Sequence, residues 1–176
     1  MPFAYYAKLS PARQRIYRRS DAIVTLALPE GAQAGPIVAR IRDGLARDDR
    51  NAVQHACQDL SDLLTRGYRV PKMRIRVLAK RPSGDYGELH GLYEPEDGTV
   101  PATISVWMRT AAKKQVVAFK TFLRTLVHEV CHHLDYDLFK LEETFHTEGF
   151  YKRESTLSAA LLAQEAALME PQGRLF

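Results

Sequence analysis

Residues 119–157 read FKTFLRTLVHEVCHHLDYDLFKLEETFHTEGFYKRESTL, and they hold four of the six histidines in the chain. Their first half is periodic at helical spacing. At about 100° per residue, Phe119, Leu123, Leu126, Val127, Val130 and Leu134 share one arc, and Thr121, Thr125, His128, His132 and Asp135 share the opposite one. His128 and His132 are thus one turn apart on the polar face of an amphipathic helix, with Glu129 between them in an H-E-x-x-H pattern. Two imidazoles at i and i+4 can bind one metal ion, and a glutamate beside them is the residue type that takes a proton from an activated water.

A catalytic zinc takes three protein ligands. Two residues downstream are placed to supply the third: His146, a neutral-imidazole donor just ahead of Gly149 in a loop-to-helix setting that can fold back under the pair, is favoured over Glu154 at the head of an apolar-periodic segment with Leu157, Leu161 and Leu162. His133 and Cys131 point away from the ligand stripe and are not expected to bind metal. Asp135, one turn beyond His132, is a candidate to orient a ligand imidazole. Tyr151 is a candidate donor to a tetrahedral oxyanion.

Working outward, a run of helical segments precedes this stretch. Ser10-Pro11 suits an Ncap–N1 pair for a helix reaching about Arg19. Ile37, Ile41 and Leu45 mark a second helix over 36–47. Val53, Ala56, Cys57, Leu60, Leu63 and Leu64 mark a third over 50–66, with Gly67 in the place of its C-terminal cap. The period then falls to two. KMRIRVLAK (72–80), GELHGLYEP (87–95) and TISVWMRT (103–110) read as three strands separated by turn clusters.

The expected fold class is α+β: a small, mostly antiparallel sheet of about three strands packed with helices, the H-E-x-x-H helix following the last strand. One domain over 1–176 is expected, with a helical part over 1–70 and the sheet and metal-site core over 71–165. TISVWMRT, last before the helix, is the expected strand at the cleft border, and an exposed strand edge can take an extended peptide as an added strand.

Bulk properties exclude several classes. Hydrophobic content of 45% and charged content of 26% are those of an ordinary globular protein. No apolar run is long enough to span a membrane, the N-terminus lacks the apolar core of a signal peptide, and Cys57 and Cys131 suggest no disulfide framework, so the expectation is a cytoplasmic protein without membrane contact. The net charge is +4. Lys8, Arg13, Arg15, Arg18 and Arg19 precede the first acid, Asp21, and interleave with tyrosines. Such a pattern belongs either to a nucleic-acid footprint or to a solvated helix face. His55 and His90 are expected to be ordinary surface or structural histidines.

The stretch resembles the zincin superfamily of metallopeptidases, and within it the SprT-like and WLM groups. The resemblance is carried by His128, Glu129 and His132, a downstream His146 with Phe150 after it, and TISVWMRT ahead of the helix, and it covers about residues 73–162. It implies one zinc ion on His128, His132 and His146, with Glu129 as general base, hydrolysing a peptide or protein substrate. The four-cysteine zinc ribbon of some SprT-like proteins is absent. YKRESTLSAALL loosely resembles the glutamate-bearing helix of ImmA-type metallopeptidases, which would make Glu154 the third ligand. A zinc-stabilised binding or regulatory module without turnover is the alternative expectation.

Overall fold

The computed structural model describes residues 1–85 and 87–169; the end of the expected single domain, 170–176, lies outside them. A 3-10 turn at Ala4–Lys8 leads to α1 (Pro11–Asp21), α2 (Gly35–Ala46) and α3 (Arg50–Tyr68). There follow β1 (Arg74–Lys80), β2 (Ser83–Gly84), β3 (Gly87–Glu88), β4 (Gly91–Glu94), β5 (Thr103–Arg109), α4 (Phe119–Asp137) and α5 (Glu148–Ala167). Three helix starts carry a side-chain cap, that of α1 at the expected Ser10. Ser10 accepts from Arg13 N, Asp49 from Ala52 N and Thr147 from Phe150 N, each satisfying an amide that the helix leaves unpaired. Gly67 does not cap α3. It lies inside the helix, where a Cβ would come within 2.4 Å of Pro29, and the left-handed cap is Arg69 at φ 58°.

The α+β class holds, with a mixed sheet rather than a mostly antiparallel one. The order is β1-β5-β4: β5 pairs parallel with β1 and antiparallel with β4, and β2 and β3 form a separate two-stranded hairpin. Hairpin links between consecutive strands fail as a guide because β5 inserts between β1 and β4. GELHGLYEP also divides, its first residues closing the small hairpin as β3 and its later ones forming β4.

The insertion changes which strand meets the cleft. β5 is the central strand, buried along nearly its whole length, and β4 is the edge strand beside α4. Ile75, Val77, Ile104 and Val106 line up across β1 and β5 on the face that carries Gly91 and Tyr93 of β4. They join Leu123, Leu126, Val127, Val130 and Leu134 of α4, with Phe150, Leu157 and Leu161 of α5, in one hydrophobic core. That burial holds α4 in the rotation expected from its sequence, with His128 and His132 facing away from the core.

The outer edge of β1 is closed by side chains. Gln54 donates to Ile75 O and accepts from Val77 N, while Gln58, one turn on, donates to Met73 O and accepts from Ile75 N, at 2.7 to 3.0 Å. Two amide side chains on α3 thus stand in for a neighbouring strand. The outer edge of β4 has no strand partner among the described residues. No helix among them is long and apolar enough to cross a membrane.

Candidate metal centre

α4 presents His128 and His132 on its open face, and the loop between α4 and α5 brings His146 onto them. The three Nε2 atoms form a triangle with sides of 3.0, 3.1 and 3.3 Å. The second nitrogens decide what that triangle means. Nδ1 of His128 lies 2.8 Å from Glu154 Oε2, and an ionised carboxylate only accepts, so His128 carries its proton on Nδ1. Nδ1 of His132 lies 2.7 Å from Thr144 Oγ1, whose own proton goes to Asp135 Oδ2, so His132 too is the Nδ1–H tautomer. With both rings neutral, their unprotonated Nε2 atoms face each other at 3.3 Å, a repulsion that a cation between them would relieve.

Charge follows the same logic. Burial, with His128 and His146 alongside, pushes His132 down to about 3, and burial lowers His146 as well. His132 and His146 are thereby kept as neutral donors, the form that binds metal. These histidines are close enough to hold one ion.

Glu154 is turned away from the triangle. Its two oxygens are taken by His128 Nδ1 and by Arg124 Nε at 2.7 Å, so it orients the His128 imidazole from behind and is not one of the three clustered groups. Asp135 reaches His132 through Thr144 and not directly, and its other oxygen accepts from Arg153 Nη2 at 2.7 Å. His133 is removed from the site, as its helix phase requires: Nε2 donates to Pro71 O, and Nδ1 lies 3.1 Å from the Tyr93 hydroxyl and 3.3 Å from Asp137 Oδ2. Cys131 is fully buried, and His55 is exposed. Tyr151 stacks on His146 with ring centroids 5.8 Å apart.

A cavity of about 730 Å³ opens over the triangle, walled by β4 residues Gly91 to Tyr93, by α4, and by Tyr151. His90 also lines it. Glu129 sits on this wall, 7% exposed, and burial raises its carboxyl from 4.5 to about 7. It lies so close over β4 that a Cβ on Gly91 would stand 2.5 Å from Glu129 Oε1. The strand glycine is thus the floor under the carboxylate. Gly91→Ala is expected to push Glu129 aside while leaving the histidines alone. Metal content should hold while any Glu129-dependent turnover falls at least about tenfold; equal turnover in both proteins would show that the glycine is incidental.

The loop that carries His146 and Thr144 is clamped by the N-terminal segment. Arg13 makes a forked ion pair with Glu143, Arg19 bonds Glu142 and the Lys140 carbonyl, and the Tyr5 hydroxyl donates to the backbone oxygen of His146 at 2.7 Å. Arg18 bonds the Tyr6 hydroxyl. At least two of the five early basic residues are therefore neutralised within the fold.

Sequence reasoning missed Thr144, Arg153, Gly91 and this clamp. A signal existed for Arg153: it falls among Phe150, Leu157 and Leu161, the buried stripe of α5, where a charge demands a partner.

No protein-family model, no curated protein and no solved structure matches the chain. What the site does must be read from its own geometry.

Proposed function

We propose that the chain is a zinc-dependent peptidase of the zincin type that its motif resembles. The observation that carries this reading is the convergence of three Nε2 atoms, two of them with their tautomers fixed from behind. Two nitrogens bound to one tetrahedral zinc at about 2.0–2.1 Å lie about 3.3–3.4 Å apart, close to the sides of the triangle. His128, His132 and His146 would hold the ion. When bound it supplies a Lewis acid that polarises a carbonyl and makes a water nucleophilic near neutral pH.

The remaining work falls to the chain. Glu129 accepts the proton of the attacking water at its carboxylate and returns it to the leaving amine. Its buried setting suits a group that must gain and lose a proton near pH 7. The unpaired edge of β4 offers main-chain donors and acceptors to an extended peptide laid beside the histidines. Tyr151, on the cavity wall, is the candidate donor to the oxyanion.

A closed structural zinc site would take four protein donors. Among the described residues the cluster offers three, and it faces an open cavity with a carboxylate on its wall, which favours turnover over a purely structural role. Metal analysis of the purified protein should find about one zinc per chain, and His132→Ala should lose it. Full zinc retention by that variant would remove the basis of the assignment, and zinc binding without cleavage of any unfolded protein substrate would leave only the structural role.

A further inference from the structure

The charges around the cavity are not all accounted for by the metal and the base. Glu88 is tied to Arg81 and to the backbone N–H of Ala111. Glu154 is shared between His128 and Arg124. Glu129 is the base. The one arginine or lysine on the cavity wall, among the described residues, is Arg124, on α4 one turn before His128.

Arg124 is held by one atom only. Its Nε donates to Glu154 Oε1, while Nη1 and Nη2 make no hydrogen bond or ion pair among the described residues, and the side chain is 60% exposed. The same carboxylate therefore orients the metal ligand and the guanidinium, which lowers the entropy lost when a second anion docks on the free nitrogens. A planar fork with open N–H groups matches a carboxylate better than any neutral group.

We infer that the cleft selects substrates carrying a carboxylate, received by the free guanidinium nitrogens of Arg124 beside the histidine triangle. This rests on the peptidase reading and names the class of peptide it acts on. Two sources share the chemistry, an acidic side chain and the C-terminal carboxylate of a short peptide. The competing role is narrower: Arg124 would only balance the charge of Glu154 and meet no substrate.

Binding separates these, and it can be read without turnover. The full-length zinc-loaded Glu129→Gln protein is titrated with fluorescent peptides of one core sequence. Their ends are free or amidated, and a single glutamate or its glutamine isostere is walked along the chain. One carboxylate position should bind about tenfold or more tighter than its neutral counterpart. Arg124→Gln in the same background should erase that difference, keep its zinc and leave the neutral peptides unchanged, and Arg124→Lys should restore part of it. Loss on amidation assigns the C-terminal source; loss on replacing the peptide's glutamate by glutamine assigns a side chain. Equal binding of charged and neutral peptides, no measurable binding by any of them, or a uniform loss with Arg124→Gln would overturn the inference. The peptidase reading is scored apart, by turnover with Glu129 intact. Selective binding without cleavage defeats that reading alone, and cleavage without selectivity defeats this inference alone.

Discussion

Glu129→Gln is expected to bind zinc at the wild-type ratio and to cleave an unfolded protein substrate about 10²–10⁴-fold more slowly. Glutamine keeps the shape of the side chain and its place over Gly91, so the three histidines should not notice the change. What it loses is the ability to take a proton. A stability measurement on the metal-free protein gives a second readout. Burial raises the folded-state carboxyl from 4.5 to about 7. A raised carboxyl favours folding only while it is protonated: its contribution is fully present below 4.5 and is lost as the pH rises through about 7. An amide in its place does not titrate and has no such loss. The metal-free variant should therefore match wild type near pH 4 and exceed it by about 3 kcal/mol at pH 8. Bound zinc, a positive charge beside the carboxylate, should shrink that gap. Wild-type cleavage rates in the variant would remove Glu129 from the chemistry. Parallel stability curves at all pH values would show that its carboxylate is not strained by burial.

Asp135→Ala should cost about 3–5 kcal/mol of stability in urea unfolding of the metal-free protein. Asp135 and Arg153 are both fully buried, 2.7 Å apart, and Arg153 is the largest such side chain among the described residues. Its guanidinium also bonds Ser20 and the Ile23 carbonyl, and it stacks against Phe139 and Phe150. Without Asp135 a cation remains in the core with only neutral acceptors. Zinc affinity should fall as well, by about 10–100-fold, because Thr144 loses the acceptor that directs its lone pair at His132. Thr144→Val separates the two effects, since it cuts the link to His132 and leaves the ion pair intact. It should weaken zinc with little change in unfolding. An Asp135→Ala protein as stable as wild type would show that Arg153 is solvated or has found another partner.

How much of this was legible beforehand follows from the range over which each interaction acts. Helix phase fixes which residues of α4 face together, so His128, His132 and Glu129 could be placed, and His133 and Cys131 set aside, from spacing alone. Sequence favours His146 over Glu154 but does not settle the choice, because that depends on how the loop after α4 folds back, and contacts more than a hundred residues away, from Tyr5, Arg13 and Arg19, hold the loop. Strand periodicity located β1 and β5. It carried no information on order, since the alternation of β5 is the same whether its neighbour is β4, β1 or both. The burial of β5 on both faces is a tertiary result. Thr144 had no signature at all: one hydroxyl in a short loop gains its role only when Asp135 and His132 approach it from either side.

The two glutamines along β1 set the valency of the sheet. A sheet with two open edges can add a strand on each side, and every addition exposes a fresh edge, so association has no natural end. Here Gln54 and Gln58 terminate one side, leaving β4 as the only acceptor of that sheet among the described residues. Two molecules meeting edge to edge through β4 would stop at a dimer, and a peptide laid on β4 would compete only with that pairing for the open backbone groups of the sheet. On the proposed peptidase reading, the one edge of that sheet open to a peptide is also the edge beside the histidines.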